Sequence, residues 1–218
     1  MKKLLSSIIL ASMFLSSAAL AGVNLGVTLG EQGYYAFGTE KHNPGSTFES
    51  NTKEAGAFSE NLEEIFVEFD AGAVVLGVAY MPNDVETPEN LNNQDGTENK
   101  VKAEFSDFTT VYAIVPFTFL PAEGIYGKIG YIEADITSIE SGMTSTYPNA
   151  STEGYTVGLG YQKDTDNGIF IRIEASAATY ENVSVTSTTA STADGTKNQV
   201  NIDDMMTARY QLSIGKSF

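Results

Sequence analysis

The sequence predicts an all-β chain: an eight-stranded antiparallel up-and-down transmembrane β-barrel, with four long surface loops at one end and three short periplasmic turns at the other. Three observations predict it. The composition is that of a β-protein, because only 18% of the 218 residues are charged while Gly (20), Thr, Ser and Tyr (11) are abundant. Apolar residues alternate with small or polar ones, with a period of two, in segment after segment. The connections between those segments alternate between short and long.

Residues 1–21 stand apart. Lys2 and Lys3 form a positive start, Leu4 to Leu15 a short apolar run, and Ala19-Leu20-Ala21 a small-x-small cleavage site before Gly22. That is the layout of a bacterial secretory signal peptide. The run is too short and too serine-rich for a membrane anchor, and no other window approaches the roughly 20 apolar residues of a membrane helix. The barrel is expected to occupy residues 22–218, which contain no internal domain boundary. The whole chain carries a net charge of −16; without Lys2 and Lys3, ten basic residues face 28 acidic ones, a net of −18. Such a charge excludes nucleic acid as a partner. The absence of cysteine excludes disulfides, thiolate metal sites, a cysteine nucleophile and a lipoprotein anchor, and a single histidine excludes any mechanism needing two imidazoles.

The strands follow in order. The first sets Val23, Leu25, Val27 and Leu29 against Asn24, Gly26, Thr28 and Gly30, with room to continue to Tyr35 and Phe37. The second sets Ile65, Val67 and Phe69 against Glu64, Phe66 and Glu68, and the third sets Val74, Leu76, Val78 and Tyr80 against Ala73, Val75, Gly77 and Ala79. The fourth, about Phe105 to Leu120, has Val111, Ala113, Val115, Phe117 and Phe119 on one parity, but Tyr112 and Ile114 on the other leave its facing open, as is that of the fifth, about Ile125 to Thr137. The sixth sets Tyr155, Val157, Leu159 and Tyr161 against Gly154, Thr156, Gly158, Gly160 and Gln162. The seventh sets Ile169, Ile171, Ile173, Ala175 and Ala177 against Phe170, Arg172, Glu174, Ser176 and Ala178. The eighth sets Met206, Ala208, Tyr210, Leu212, Ile214, Lys216 and Phe218 against Thr207, Arg209, Gln211, Ser213, Gly215 and Ser217.

Asp70-Ala71-Gly72, Pro121 to Gly124 and Lys163 to Gly168 supply turn chemistry between strands 2–3, 4–5 and 6–7. Long polar loops are expected over about residues 39–60, 83–102, 138–152 and 181–203. An even strand number then puts both termini on the short-turn side. A soluble barrel or sandwich is the competing architecture. The signal, the aromatic C-terminus and the long–short rhythm favour the membrane form, and a closed barrel satisfies every backbone polar group, as lipid requires.

On the small and polar faces Glu68, Lys128, Arg172, Glu174 and Arg209 are expected to meet inside. An eight-stranded interior is just wide enough to be filled by side chains, and buried charges must pair. These five are therefore read as a structural plug, or a selectivity element if the lumen conducts. Tyr34, Tyr35, Phe37, Tyr80, Tyr126, Tyr131, Tyr155, Tyr161, Tyr180 and Tyr210 read as interface girdles. Asp84, Glu86, Glu89, Asp95 and Glu98 outnumber Lys100 and Lys102 in the second loop; Glu63, Glu64, Asp203 and Asp204 sit at strand tops. Carboxylates suit divalent cations, but no run has metal-site spacing, and a solvated acidic surface is the simpler reading. No metal, cofactor or catalytic residue is assigned, and no enzymatic activity is expected. His42, beside Asn43-Pro44-Gly45-Ser46, is loop-borne rather than fixed on a strand. Gly158-Leu159-Gly160 falls on alternating strand positions and is no phosphate loop.

The C-terminus, with Tyr210, Leu212, Ile214 and Phe218 on one face, resembles the last strand of bacterial outer-membrane barrels. That strand typically ends in an aromatic residue and is recognised by the barrel assembly machinery. Lys216 departs from the pattern. Tyr126-Gly127-Lys128-Ile129-Gly130-Tyr131, residues 154–161 and Ile214-Gly215-Lys216-Ser217-Phe218 also read like strands of the OmpA-transmembrane, OmpX and opacity-type superfamily, and the chain is similar to small barrels of marine Pelagibacter-type bacteria. The resemblance implies the Gram-negative outer membrane. Expected partners are outer-membrane lipid, lipopolysaccharide and, through the loops, other cells or phages. A structural and surface-interaction role is the first expectation. A narrow channel or transporter for a small or hydrophobic solute is the second, and a lipid-modifying enzyme is disfavoured.

Overall fold

A computed structural model describes residues 22–42, 50–92, 99–141, 146–189 and 197–218; the signal segment, residues 43–46, Asp95 and Glu98 lie outside them. Among the described residues eleven strands run as β1 (Val23–His42), β2 (Ser50–Asp70), β3 (Val75–Tyr80), β4 (Val85–Glu86), β5 (Asn90–Asn92), β6 (Asn99–Pro116), β7 (Ile125–Ser141), β8 (Ala150–Asp164), β9 (Ile169–Tyr180), β10 (Val183–Thr186) and β11 (Gln199–Ser217). Adjacent strands pair antiparallel, and β1 pairs with β2 on one edge and β11 on the other, so the sheet closes into a barrel. β4 and β5 continue the line of β3 along β6, and β10 continues that of β9 along β11. The ring therefore has eight staves, as the alternation predicts. Its seam closes at the termini, where Gly22 donates to the Phe218 carbonyl at 2.9 Å and Phe218 donates to Val23 at 3.0 Å.

Alternation places one parity in lipid and the other in the lumen. Leu29, Ile129, Val157, Leu159 and Ile173 are all more than half exposed on the outside, while Thr28, Lys128, Thr156 and Glu174 opposite them in parity are buried. An apolar exterior over a polar interior inverts a soluble barrel and matches a wall facing hydrocarbon.

Several expected boundaries move. β2 starts at Ser50 and β11 at Gln199, so much of the expected loop sequence continues the ladder: Thr39 faces Lys53 and Glu40 faces Thr52. Above the lipid belt both strand faces meet water, so the hydrophobic period disappears although the hydrogen-bonded pairing persists. β6 ends at Pro116, which lacks an N–H, and Phe117 and Phe119 fall in the turn rather than the strand.

A bulge resolves the facing of the fourth stave. Ser106 pairs with Asp135 but Thr109 with Glu133, one extra residue against β7, with Asp107 at φ +54°. The bulge turns both Phe105 and Phe108 inward. Below it Tyr112 and Ile114 face the lumen and Val111, Ala113 and Val115 face out. A matching irregularity in β11, with Asp204 at φ +51°, brings Met205 inside.

Two apolar layers fill the interior. The one toward the short turns contains Phe66, Ala79, Tyr112, Ile114, Tyr126 and Phe170. The one toward the tall end includes Tyr34, Leu62, Met81, Phe105, Phe108 and Ile132. Above it the segment before β8 reaches over the mouth. There Tyr147 donates its hydroxyl to Glu40 of β1 at 3.1 Å and its N–H to Glu140 at 2.8 Å. Burial and the nearby Glu40 carboxylate push the Tyr147 hydroxyl pKa up.

Candidate functional site in the barrel lumen

Inward parity carries Glu68, Lys128, Arg172, Glu174 and Arg209 into the lumen, and each is at most 8% exposed. Arg172 on β9 grips Glu68 on β2 with two parallel bonds, Nη1 to Oε1 at 2.7 Å and Nη2 to Oε2 at 3.1 Å. Its Nε and Nη2 also donate to the Gln162 side-chain oxygen at 3.1 and 2.6 Å. Glu68 additionally accepts from Tyr112 at 2.8 Å and Asn24 at 3.2 Å. Around the guanidinium stand Phe170, Tyr126 and Phe66, with centroids 5.0, 5.4 and 5.6 Å away. A planar cation held in a fork and stacked on rings is a use that suits arginine and not lysine.

Glu174 gathers the second group. It accepts from Lys128 at 3.0 Å, Gln211 at 3.0 Å and Tyr126 at 2.9 Å. The lysine ammonium lies 4.3 Å from the Tyr112 ring centroid. Arg209 has a separate partner: its Nη1 donates to Glu64 at 2.7 Å. Glu64 was expected at an acidic strand top; it lies in the lumen, because it shares the parity of Phe66 and Glu68. Three carboxylates and three cations therefore form three ion pairs, and the buried layer is balanced in charge.

Glycines make room for the rings. Gly26 faces Phe66, Gly77 faces Tyr112, Gly160 faces Tyr126 and Gly215 faces Phe170, each as direct cross-strand partners. A Cβ at any of these glycines would sit 2.2–2.4 Å from a ring atom. Each ring lies over the glycine of the neighbouring strand, and the four rings pack in one buried cluster. Phe170 and Glu68 are 0% and 1% exposed.

The other expected residues divide. Tyr210, Leu212, Ile214 and Phe218 face outward along β11 with Lys216 among them, and the Lys216 ammonium lies 5.5 Å from the Phe218 ring centroid. Tyr35, Tyr131, Tyr155, Tyr161 and Tyr210 lie on the outer surface. Tyr131 and Tyr210 donate to Glu153 and Glu31 there. Tyr34, Tyr126 and Tyr180 are corrections to the girdle: their parity turns them into the lumen. Of the loop acids, Glu86 pairs with Lys102 at 2.5 Å and Glu89 with Lys100 at 3.0 Å. Among the described residues no three His, Asp or Glu side chains are grouped to hold a metal ion. The His42 side chain lies outside them.

The fold and the filled lumen define a small transmembrane β-barrel of the outer-membrane type. No protein-family model matches the sequence, and no curated protein matches it either. Among solved structures the chain is similar to the outer membrane protein OprG of Pseudomonas aeruginosa. That match has 8% identity and a TM-score of 0.50, and covers 91% of this chain and 97% of that one. It is also similar to the outer membrane protease OmpT of Escherichia coli (8% identity, TM-score 0.48, covering 92% and 98%). A third match is Neisserial surface protein A (11% identity, TM-score 0.42, covering 91% and 98%). At these identities the likeness to OprG bears on the fold alone.

Proposed function

We propose that this chain is an integral outer-membrane protein whose barrel is a closed scaffold for an acidic surface. The single observation that carries this reading is the charge-balanced lumen layer, in which Arg172 pairs with Glu68 and Lys128 with Glu174 among four aromatic rings. A side-chain-filled cross-section supports anchoring rather than conduction. Residues 1–21 serve as the export signal in this reading. Tyr210, Leu212, Ile214 and Phe218 present the outward face that the assembly machinery reads, consistent with the OmpA-transmembrane, OmpX and opacity-type resemblance. The tall, acidic hairpins meet lipopolysaccharide, other cells or phages.

A second reading, a narrow route for a hydrophobic solute, draws on one feature. β2 and β3 pair only from Ile65↔Tyr80 to Asp70↔Val75, whereas β2 keeps its ladder with β1 up to Ser50. Above Tyr80 the chain of β4 and β5 pairs with β6. The wall is thus spanned there by side chains such as Asn83, which donates to Glu63 at 2.9 Å, beside the apolar Leu62, Met81 and Val85.

The deciding experiment is single-channel recording after refolding residues 22–218 into planar bilayers, with a heat-modifiable gel band as proof of folding. The scaffold reading expects a folded protein without unitary conductance. Stable channels would overturn it and make the lumen charges a selectivity filter.

A further inference from the structure

Buried side-chain polar atoms without a protein partner gather on one wall of the lumen. They belong to the adjoining staves β1, β11 and β9. In one cross-strand row Gln32 faces Arg209, which faces Ser176. Gln32 Nε2, Arg209 Nε and Ser176 Oγ all lack a bond there. In the next row toward the tall end, Tyr34 faces Thr207; neither hydroxyl has a bond of good geometry, although those of Thr207 and Tyr180 approach each other. Gln211 Oε1 lies one row toward the short turns, and the Tyr180 hydroxyl lies beyond Thr207. Gln32, Thr207 and Arg209 are 2%, 4% and 6% exposed. Rows of one face repeat about every 7 Å and staves lie about 4.8 Å apart, so these atoms share a patch on the order of 10 Å across and twice as long.

Bare burial of that many polar atoms would be costly, since each forfeits its solvation without a bond in return. A ligand of hydrogen-bonding chemistry is therefore called for. Its charge is constrained by the surroundings. Arg209 is already neutralised by Glu64 at 2.7 Å, and Glu174 has its own lysine at 3.0 Å. A buried anion or cation would find no uncompensated partner. Its size is constrained too. Ala178 and Met205 belong to the apolar layer above, and Gln211 ties the patch below to Glu174 at 3.0 Å.

We infer that this wall of the lumen is an internal hydration site: a small group of water molecules bound among β1, β9 and β11 around Arg209. A buried water makes about three hydrogen bonds, so the seven atoms call for at least three waters. The waters accept from the Arg209 and Gln32 N–H groups, donate to Gln211, and do either with the hydroxyls. They complete a polar stripe that runs beside the aromatic plug.

Two near-isosteric variants, Ser176→Ala and Tyr34→Phe, test the assignment in denaturant titrations of the refolded barrel. Alanine removes only the Ser176 hydroxyl, and phenylalanine keeps the ring that stacks on Phe58 at 4.8 Å. Bound water predicts a lower unfolding midpoint for each variant, because an existing hydrogen bond is lost. An unchanged or raised midpoint in both would overturn the site, since deleting an unbonded buried hydroxyl is harmless or stabilising. Should either variant fail to fold, NMR of the unaltered barrel in micelles decides. Long-lived water must show cross-peaks to the Ala178 methyl group beside Thr207, and their absence overturns the proposal.

Discussion

Arg172 shows what a single residue does here. Its guanidinium is bonded to Glu68 and Gln162 and faces three rings, and the side chain is only 4% exposed. Arg172→Ala would leave the Glu68 carboxylate buried without its cation, at a cost of about 3–5 kcal/mol. The urea midpoint of the refolded barrel should fall accordingly. The double variant Glu68→Leu with Arg172→Met removes both charges, and its loss should be smaller than the two single losses added together. Additive losses would show that the pair is not coupled. The inward facing of Glu68, Arg172, Glu174 and Arg209 was legible in the sequence, because strand parity decides it; that of Lys128 was not, because both parities of the fifth strand carry apolar residues. The partners were not legible. Glu68 and Arg172 are 104 residues apart, and which charges meet depends on how the barrel staggers its staves. Glu64 was read as a strand-top acid for the same reason: nothing local marks how high on β2 the lumen reaches.

At the scale of the strand, the recurring unit of the lower barrel is an aromatic ring lying on a glycine of the neighbouring strand. The glycine is there for space. At Gly160 an added Cβ would stand 2.2 Å from the Tyr126 ring and its hydroxyl, the group that donates to Glu174. Gly160→Ala should therefore push Tyr126 off its strand and weaken that bond. Overpacking of this kind costs roughly 1–3 kcal/mol. A midpoint equal to that of the parent protein would show that the ring has room to shift. Tyr126→Phe in the Gly160→Ala background gives a check, because it removes the hydroxyl that the new methyl meets and should recover part of the loss. The period-two alternation made most strands legible wherever lipid lies on one side, as in β8, β9 and the lower part of β11. It failed at the β6 bulge. One extra residue at Asp107 reverses the parity, so Phe105 and Phe108, three positions apart, both point inward. It also failed where β1 and β2 rise into water, since a polar hairpin carries no hydrophobic period to count.

Those rising strands set the shape of the whole molecule. β1 has 20 residues, on the order of 65 Å of extended chain. Tilted by about 40°, as barrel strands are, it climbs roughly 50 Å, about twice the height of a lipid-facing belt. The belt runs from Phe69, Leu76, Ile169 and Phe218 at the short-turn end to Tyr131, Tyr155 and Tyr210. About half of the β1–β2 hairpin must then stand clear of the membrane on one side, while the opposite rim ends at once in turns such as residues 71–74. This asymmetry makes orientation testable, and the chain's lack of cysteine makes the test clean. Ala57 on the tall hairpin and Ala71 in the short turn are both exposed, whereas Ser176 is buried in the lumen. In intact cells expressing the full chain, a bulky membrane-impermeant maleimide should label Ala57→Cys and leave Ala71→Cys and Ser176→Cys unlabelled. Disrupting the outer membrane should add Ala71→Cys, because the short turns then become accessible from the periplasm. Labelling of Ala71→Cys alone in intact cells would place the tall acidic end in the periplasm. A surface that meets other cells would then be out of reach, and the scaffold would have to serve a periplasmic partner instead.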